Sequence, residues 1–489
     1  MINSICILGS GTAGLISALV LKKLFPNLET TIVSSSQIGI VGVGEGSTEH
    51  WKEFMEVCNI SLFELVTETD ATMKSGILFD NWHGDSSYYM HALHAQYTRT
   101  MPNNVPGVLV HNLLNNKPLY PINIYKSRHF PPVEDSVNQF HFDTNKLNSF
   151  FVKKCKERNI DVIDDTIENV VLDQSGHIES LTGKLNNFSA DLFIDASGFS
   201  RILSKKLGVE WIDCKKYLPM DSAIAFPTEL DENFPSWTLS RALSSGWMWQ
   251  IPTQSRYGNG YVYCSDYISD QDALDEIQQQ YEGEINVGKS FKFSAGHVDK
   301  FWFKNCVSIG LSGSFVEPLE ATSIGTSIQQ SFALAQHILN YEKGNEKVPT
   351  MYNKEMDKVV SNIIDFVQLH YISTRADSKF WQEVKSNITL TDFNKEHIDY
   401  FREHLPIRSH FPEPWILFHE HNWIQVLDGL RLFNKDKIKE MWDTQAYKDE
   451  TDQIVKEIDW NAEYHEGMSH MEALDILGLR NVIKNSGYR

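Results

Sequence analysis

The hydrophobic positions at the N-terminus form two short runs separated by one longer apolar-rich stretch. The short runs cover residues 4–8 and 30–33, and the longer stretch covers residues 12–24 and ends before Pro26. Short apolar runs between turns are typical of buried strands, and a longer apolar-rich stretch closed by a proline is typical of a helix. The pattern therefore predicts a βαβ unit at the start of the chain.

Strand patterns continue to residue 309, and helical patterns follow. The predicted strands cover residues 160–181, with a turn at 173–176, and residues 191–195, 260–265 and 306–309. The predicted helices cover residues 323–340, 353–371, 392–403 and 436–442. This order predicts an α/β domain at residues 1–340 that contains an inserted β-sheet, followed by a mostly helical region at residues 341–489.

Composition and charge narrow the class of protein. Lys and Arg number 44 and Asp and Glu number 64, so the net charge of the 489 residues is −20, which argues against nucleic acid as a partner. The six cysteines form no CxxC pair and no zinc-site spacing, so we expect reduced thiols, no metal and a cytoplasmic protein. No apolar window reaches roughly 18 residues, and glycines interrupt the N-terminal stretch, so neither a membrane helix nor a signal peptide is expected.

A glycine-rich turn lies between the first predicted strand and the first predicted helix. Residues 9–14 (GSGTAG) have the spacing GxGxxG. Such glycines allow a tight turn and a close approach of the backbone to a pyrophosphate, and the helix N-terminus supplies N–H groups to the anion. Ser34 stands where an acidic residue usually ends the second strand and binds the ribose. The strand and helix on either side favour a dinucleotide site over a purely structural turn.

Four other segments suggest contacts with a large cofactor, each with a structural alternative. Residues 42–48 (GVGEGST) suggest a loop against a cofactor, or a flexible surface loop. Residues 195–199 (DASGF) allow backbone approach to a flat ring, or form an ordinary turn. The tryptophans of residues 246–252 (GWMWQIP) share one face of a strand, which also suits a core strand. Residues 310–323 precede a helix whose N-terminus suits a halide or a flavin ring, or form a loop with a Thr N-cap.

Taken in order, these motifs resemble the flavin-dependent tryptophan-halogenase family. The resemblance rests on GSGTAG, on GVGEG, on residues 74–82 (KSGILFDNW), on the diagnostic WxWxIP string and on EPLEATS, and residues 141–143 (HFD) and 259–263 (NGYVY) also match. It runs from about residue 5 to about residue 423. It implies a FAD-binding, Rossmann-like flavoprotein fold of the GR2, aromatic-hydroxylase type, with the helical C-terminal region completing the substrate site.

The resemblance implies an FADH2-dependent halogenase. Reduced FAD, O2 and a halide (chloride, bromide or iodide) would generate hypohalous acid, which would pass through a tunnel to Lys74 and Glu320 and halogenate a small free aromatic substrate such as an indole or a phenol. Only one nucleotide fingerprint occurs, so we expect a separate flavin reductase to supply FADH2. The sequence leaves open whether the chain forms homo-oligomers.

The resemblance also assigns roles to individual residues. Lys74 and Glu320 would be catalytic, and His91 would line the substrate pocket. Backbone N–H groups of Thr322 and Ser323 would bind the halide, although Ala321 and Ser323 depart from the PLESTG string that is frequent in the family. The tunnel and barrier residues would be Trp247, Trp249, Ile251 and Pro252. The cofactor-binding residues would be Gly9, Gly11, Thr12, Ala13, Gly14, Ser34, Gly44, Glu45 and Gly313.

The residue types are compatible with these roles and with simpler ones. The Lys74 ammonium can hydrogen-bond hypohalous acid, and the Glu320 carboxylate can accept a proton. The alternatives are a surface lysine, a structural His91 and a glutamate that complements a helix dipole. Two other functions compete with the halogenase, namely an FAD-dependent aromatic monooxygenase (hydroxylase) and a non-catalytic flavin-binding protein. The tryptophan pair and the Lys74/Glu320 pair argue against the hydroxylase, and the presence of both Lys74 and Glu320 argues against the non-catalytic protein.

Overall fold

The computed structural model describes residues 2–39, 44–92, 105–116, 139–342, 345–443, 448–449, 451–453, 455–456 and 469–476. The chain divides into two compact units, each assembled from three segments. Unit 1 comprises Met1–Thr69, Phe142–Lys215 and Ser294–Ser361, and unit 2 comprises Asp70–His141, Lys216–Phe293 and Asn362–Arg489. The boundary expected near residue 340 therefore lies inside unit 1.

The strands are numbered in chain order. They are β1 Ser4–Leu8, β2 Glu29–Ser34, β3 Glu45–Gly46, β4 Thr72–Met73, β5 Gly76–Asp80, β6 Tyr88–Ala92, β7 Phe140–Phe142, β8 Asp161–Asp164, β9 Ile167–Leu172, β10 Ile178–Gly183, β11 Asn187–Phe188, β12 Leu192–Asp195, β13 Trp211–Asp213, β14 Ser222–Thr228, β15 Trp237–Leu243, β16 Gly246–Pro252, β17 Tyr257–Tyr263, β18 Lys289–Lys292, β19 Gly296–Val298, β20 Trp302–Phe303, β21 Cys306–Ser308 and β22 Ser314–Phe315.

The α-helices are numbered in the same way. They are α1 Thr12–Leu24, α2 His50–Val57, α3 Leu62–Thr69, α4 Val105–Leu114, α5 Thr144–Glu157, α6 Ile202–Lys206, α7 Asp270–Gln278, α8 Thr322–Ile338, α9 Lys347–His370, α10 Lys379–Asn387, α11 Asp392–Glu403, α12 Glu420–Gly429, α13 Lys435–Trp442 and α14 His470–Ile476. Among the described residues, helices and no further strands follow β22, as the sequence predicts.

A six-stranded sheet is the framework of unit 1. Its order is β20-β21-β12-β1-β2-β8, and all neighbouring pairs are parallel except β20 with β21. Helices α1, α5 and α8 pack together, with α1 between the other two. The strands β1, β2, β12 and β21 end at the same edge of the sheet, because they run in parallel. The loops that follow those strands therefore gather at one edge, where open α/β sheets bind ligands.

The stretch predicted as strand at residues 160–181 is interrupted in the structure. The strand β8 joins the parallel sheet, whereas β9 and β10 form an antiparallel hairpin with β11. The break follows from Asp165, whose carboxylate accepts backbone N–H groups of Thr166, Leu185 and Asn186. A buried carboxylate that satisfies several backbone donors holds the chain in a turn, so the strand cannot continue. The predicted turn at residues 173–176 is confirmed.

Unit 1 extends past residue 340 because the helices there are tied to its sheet. Helix α8 packs against α1, and the Trp302 backbone N–H donates to Asn353 Oδ1 on α9 at 2.7 Å. The Tyr352 hydroxyl donates to the Gln330 carbonyl of α8 at 3.2 Å. The helical pattern shows only that helices replace strands along the chain. Where unit 1 ends is decided by the contacts that these helices make.

A seven-stranded sheet is the framework of unit 2. Its order is β18-β14-β17-β16-β15-β5-β6, and β15 with β5 is its parallel pair. One face forms a core with α7, in which Met248, Tyr261 and Ile277 are buried. The other face carries the WxWxIP tryptophans. The short strands β4 and β7 pair within unit 2 through Thr72 with His141 and Met73 with Phe140.

Candidate active site

In the glycine turn after β1, each glycine has a different steric environment, which explains why a glycine is present there. Gly9 has φ of +117°, and a Cβ there would lie 2.2 Å from the Ala196 carbonyl oxygen. A Cβ on Gly14 would lie 2.1 Å from the Gly9 carbonyl oxygen, so helix and strand pack closely. At Gly11, by contrast, a Cβ would meet no atom within 4 Å. The first and third glycines are thus needed for packing, and the second leaves space for a pyrophosphate at the α1 N-terminus.

The neighbouring strand ends complete this edge of the parallel sheet. The Gly9 N–H donates to the Val33 carbonyl at 2.8 Å, which places Ser34 at the end of β2 beside the turn. Gly310 has φ of +65°, and a Cβ there would lie 2.4 Å from the Ala13 Cβ, so both positions require small residues. At Gly313 a Cβ would lie 2.8 Å from the Ser308 carbonyl oxygen, which gives this glycine a packing role independent of any cofactor.

The second glycine-rich segment is described from Gly44 onward, and Gly42 and Val43 lie outside the described residues. Gly44 has φ of +151°. The Glu45 Oε2 atom is buried without a hydrogen-bond partner among the described residues, and burial raises the pKa of Glu45 to about 7. A fraction of this carboxyl is therefore protonated near neutral pH and can donate a hydrogen bond. Thr48 packs against the first turns of α8, where a Cβ on Gly325 would lie 2.4 Å from Thr48 Oγ1.

Glu320 and the halide-binding candidates lie at the start of α8. Glu320 is 1 % exposed and ends a 3-10 turn, Pro318–Glu320. Ala321 follows in the left-handed region, with φ of +53°, and makes no side-chain capping bond to the helix. The first N–H groups of α8, beginning at Thr322 and Ser323, therefore lack the side-chain acceptor that a Ser, Thr or Asp N-cap provides. Such N–H groups favour an anion.

Lys74 lies at the end of β4 in unit 2 and is 2 % exposed. Burial of the His141 ring lowers the pKa of His141 well below the usual range, and the positive charge of Lys74 lowers it further. His470 lies on the other side of the strand, where its Nε2 accepts the Met73 N–H at 3.0 Å. Burial lowers the pKa of His470 to about 3. Both imidazoles are therefore neutral, and that of His141 lies near the buried Lys74 ammonium.

Hydrogen bonds define the tautomer of His141. The Thr72 hydroxyl donates its only proton to the Pro252 carbonyl at 2.7 Å, so toward His141 Nδ1 it acts as an acceptor at 3.2 Å. His141 Nδ1 therefore carries the proton, and Nε2 accepts from the Thr238 hydroxyl at 2.9 Å. This network links β4, which leads into Lys74, to the seven-stranded sheet at β15 and β16.

The two indoles of the WxWxIP string share one face of β16. Their ring centroids are 6.2 Å apart, Trp247 is 1 % exposed and Trp249 is 8 % exposed. Trp249 lies opposite Gly260 on β17, and a Cβ on Gly260 would lie 2.0 Å from the Trp249 Cη2 atom. The six-membered ring of Trp249 therefore packs directly over Gly260, where any side chain would obstruct it. Ile251 is buried on the same face, and Pro252 ends the strand with its carbonyl bound to Thr72.

We expect Gly260→Ala to destabilise the protein by about 1–3 kcal/mol, because the added methyl overlaps the ring of Trp249. Chemical denaturation of the purified full chain measures this loss. In a Trp249→Phe background the ring is smaller, so the same substitution should cost less than in the wild type. Gly283→Ala is the control, since a Cβ there meets no atom within 4 Å. An equal cost of Gly260→Ala in both backgrounds would show that the ring is not what opposes the methyl.

His91 lies in the interior of unit 2. It is fully buried, packs against Phe366 and Phe418 at centroid distances of 5.4 Å and 6.3 Å, and has its Nε2 3.1 Å from Asn422 Nδ2. These contacts match the structural alternative, and a role in substrate binding stays a prediction. Lys74 belongs to unit 2 and Glu320 to unit 1, so each is described within its own unit, and their joint action also stays a prediction.

Sequence reasoning missed three features of unit 2, two of them near Lys74 on the chain or in space. His141 appeared only as part of the HFD string, and nothing pointed to His470, which is 397 residues from Met73. The role of Gly260 also went unnoticed, although a glycine inside a strand is a signal for close approach of another group. Its partner Trp249 is identified only by the pairing of β16 with β17.

The parallel sheet, the glycine turn and the buried donor groups define the class of protein. A parallel sheet whose first strand ends in this glycine turn is that of a dinucleotide-binding α/β protein. In addition, a buried lysine near a neutral imidazole in unit 2 offers hydrogen-bond donors to an electronegative reactant. In unit 1, separately, the uncapped N-terminus of α8 offers donors to an anion. Among the described residues, no helix is both long and apolar enough to cross a membrane.

The chain belongs to the tryptophan halogenase family, whose model matches residues 4–446. It is 31 % identical over 447 residues to the 7-chloro-L-tryptophan 6-halogenase KtzR of Kutzneria sp. (strain 744), covering 82 % of this chain and 85 % of that protein. It is 30 % identical over 448 residues to the tryptophan 7-halogenase RebH of Lentzea aerocolonigenes, covering 83 % of each. It resembles the structure of Xcc4156, a flavin-dependent halogenase from Xanthomonas campestris, with a TM-score of 0.85, 27 % identity and coverage of 97 % of this chain and 98 % of that chain.

The family confirms the predicted fold class and identifies the chain as an enzyme that depends on a flavin. The glycine turn fits the dinucleotide part of FAD, because the open side of Gly11 faces no protein atom within 4 Å while Gly9 and Gly14 are closely packed. Hence the family and the local sterics agree on the cofactor class.

Proposed function

We propose that this enzyme uses reduced FAD, O2 and a halide to form hypohalous acid, which passes through a tunnel to Lys74 and Glu320 and halogenates a small free aromatic substrate. The balance is FADH2 + O2 + X⁻ + H⁺ → FAD + HOX + H2O, followed by ArH + HOX → ArX + H2O. The observation that carries the proposal is the buried Lys74 ammonium near the neutral ring of His141. Lysine is almost never fully buried unless it is paired, so the interior around Lys74 is built to hold a positive charge.

The residues that would hold FAD are those of the glycine turn and its neighbours. The N–H groups at the start of α1 would bind the pyrophosphate above Gly11, and the Ser34 hydroxyl would bind the ribose in place of a carboxylate. The loop residues Gly44 and Glu45 would contact the cofactor from the second segment. When bound, reduced FAD would supply two of the four electrons that reduce O2, and the halide would supply the other two as it is oxidised.

The halide would bind at the start of α8. Backbone N–H groups of Thr322 and Ser323 are donors whose position does not depend on side-chain identity, so the presence of Ala321 and Ser323 in this chain leaves them available. A helix of 17 residues presents the positive end of its dipole there. We propose that one halide ion, chloride, bromide or iodide, binds at this site.

Lys74 would orient and polarise hypohalous acid. An ammonium offers three donors on a long stem, and in a site shielded from water a hydrogen bond to the oxygen of HOX makes the halogen more electrophilic. The neutral state of His141 matters here, because a second positive charge nearby would raise the cost of burying the ammonium. Glu320 would accept a hydrogen bond from hypohalous acid alongside Lys74, so that both residues serve the same step. Its carboxylate would also take the proton from the halogenated ring cation and restore aromaticity.

The substrate and partner are proposed by chemical class. Because relatives such as KtzR and RebH are named for tryptophan, an indole is the first candidate substrate, with phenols next. The substrate would bind near Lys74 as a free small molecule. A separate flavin reductase would deliver FADH2 by diffusion, since the sequence contains a single nucleotide fingerprint.

A product screen tests the proposal. The purified full chain is incubated with FAD, a flavin reductase, NADH, each halide in turn and a panel of indoles and phenols, and products are analysed by mass spectrometry. We expect a mass shift of one halogen for one hydrogen that changes with the halide supplied. Oxygen gain alone would support the hydroxylase alternative, and no product from any substrate would support a non-catalytic flavin protein. Reductase-free oxidation of NADPH at a comparable rate would contradict the separate reductase.

A further inference from the structure

Arg201 follows β12 and the DASGF segment in unit 1, at the edge of the parallel sheet where ligands bind. Its φ is +48°, in the left-handed region that residues with a long side chain rarely adopt. Its backbone N–H donates to the Gly198 carbonyl at 3.1 Å. A Cβ on Gly198 would meet no atom within 4 Å, as at Gly11 in the glycine turn. A strained residue beside an open stretch of this edge points to binding more than to packing.

Hydrogen bonds on either side of Arg201 fix the direction in which its side chain leaves the backbone. Asp195 Oδ2 accepts two N–H groups of α6, both at 2.9 Å, and Ser197 Oγ accepts the Ile202 N–H at 2.9 Å. The first N–H groups of α6 are therefore already bound, and they offer no anion site of their own. What this turn presents to a ligand is the side chain of Arg201.

The Arg201 guanidinium lies over the indole of Trp211, with its central carbon 4.1 Å from the ring centroid. The indole is itself held in place, because its Nε1 donates to the Ser294 hydroxyl at 3.1 Å. A Cβ on Gly296 would lie 2.7 Å from the same nitrogen, so this side of the ring is also closely packed. Stacking on an aromatic ring uses the face of a guanidinium and leaves its N–H donors to other partners.

No described residue accepts a hydrogen bond from the Arg201 guanidinium. Its Nε atom is shut off from solvent, whereas the two terminal nitrogens reach the surface of this half-buried side chain. Arg158 in the same unit shows the contrast, because its guanidinium donates to the Lys154 carbonyl at 3.1 Å and to the Cys58 carbonyl at 2.6 Å. The terminal N–H groups of Arg201 are therefore accessible to a ligand that arrives from solvent.

We propose that Arg201, stacked on Trp211, binds a phosphate group of a ligand at this edge of unit 1. The planar fork of a guanidinium matches two oxygens of a phosphate. In a chain of net charge −20, an anionic ligand also needs a local cation. The phosphate belongs either to the FAD of the proposed function or to a second molecule that binds beside it. The inference concerns binding alone and does not depend on halogenation.

Two binding measurements on the purified full chain test the proposal. FAD is titrated by the change in its fluorescence, and inorganic pyrophosphate is titrated by calorimetry with and without saturating FAD. In Arg201→Asn we expect at least about a tenfold loss of pyrophosphate affinity, as for one charge-assisted pair. Asparagine is chosen because it tolerates the left-handed conformation, so the variant should fold.

The FAD titration identifies the source of the phosphate. If FAD and pyrophosphate lose affinity together on the protein without FAD, the ligand is the pyrophosphate of FAD. If FAD affinity is unchanged and the loss occurs on the FAD-loaded protein, the ligand is a second phosphate-bearing molecule. Wild-type affinity of Arg201→Asn for pyrophosphate in both states, or a wild type that binds no pyrophosphate in either, would overturn the proposal. A wild type that binds pyrophosphate but no FAD would refute the proposed function and leave Arg201 as a phosphate-binding residue.

Arg201→Lys separates phosphate binding from a structural role. Lysine keeps a positive charge near Asp195, which attracts the guanidinium electrostatically, but it lacks the planar fork. It should keep the unfolding temperature of the wild type and still lose at least about threefold in pyrophosphate affinity. Arg158→Lys is the matched control, since it removes the bonds to two carbonyls and should lower the unfolding temperature with pyrophosphate affinity unchanged. Equal losses of affinity in the two lysine variants would show a general effect of stability and overturn the proposal.

Discussion

We expect Lys74→Ala to lower halogenation by ~10²- to 10³-fold, the effect of removing one preorganised hydrogen-bond donor at a reacting centre. FAD affinity and NADH-driven flavin oxidation should stay near wild type, because Lys74 acts after hypohalous acid has formed. Lys74→Arg should not restore activity, since the planar guanidinium fork presents its donors in a different geometry. Turnover is measured from halogenated product, and flavin oxidation from absorbance in the same reaction.

Lys154→Met is the matched control for this prediction. Lys154 is also buried, but its ammonium is paired with Glu64 at 2.9 Å and with Glu157 at 3.0 Å in unit 1. Removing it should lower the unfolding temperature, because two carboxylates lose their partner, while turnover per folded molecule stays near wild type. Residual activity of Lys74→Ala within about tenfold of wild type would remove Lys74 from the mechanism, because one missing donor should cost more than that.

We expect Glu320→Gln to lower turnover by about a hundredfold or more, the usual contribution of a positioned general base. The amide keeps the size of the side chain and its capacity to hydrogen-bond, so the unfolding temperature should barely change. If Glu320 only complements the dipole of α8, turnover stays near wild type and only stability shifts, by less than roughly 1 kcal/mol. The product assay and a thermal melt on the same sample separate the two outcomes.

Two further variants sharpen the Glu320 prediction. Glu276→Gln is the matched control, since Glu276 is a carboxylate that accepts from the Ser244 N–H, the Ser244 hydroxyl and the Tyr261 hydroxyl, all at 2.8–2.9 Å. It should lose stability and keep activity. The double variant of Lys74→Ala with Glu320→Gln should be little slower than Lys74→Ala alone, because residues that serve one step are non-additive. Full additivity of the two losses would place them in separate steps.

Much of the fold could be predicted because its signals are local. The strand Ser4–Leu8 and the helix Thr12–Leu24 have the bounds that the apolar pattern predicts, and Asp392–Glu403 is helical over the predicted range. In each case the periodicity and the turn residues lie within the element itself. The glycine turn is equally local, since Gly9 and Gly14 approach one another within six residues of chain.

The surroundings of Lys74 could not be predicted in this way. Met73 and His470 meet across 397 positions, and nothing within either segment records the other. The break in the strand at Asp165 could not be predicted either. Its carboxylate accepts hydrogen bonds from the N–H groups of Leu185 and Asn186, about twenty residues further along the chain. Likewise, the two units each combine three separated segments, so a change of periodicity near residue 340 does not mark where one of them ends.

The sequence by itself determined the order of elements, the dinucleotide turn, the resemblance to halogenases and the identity of Lys74 and Glu320 as candidates, because spacing and residue type carry that information. Only the tertiary structure decided that Lys74 is buried near a neutral His141, that the ring of Trp249 packs over Gly260 and that Gln139 lies beside Lys74. Each of these depends on strand register and on the packing of distant segments. Burial and proximity are properties of the folded chain, and they set the pKa values and hydrogen-bond partners on which the chemistry depends.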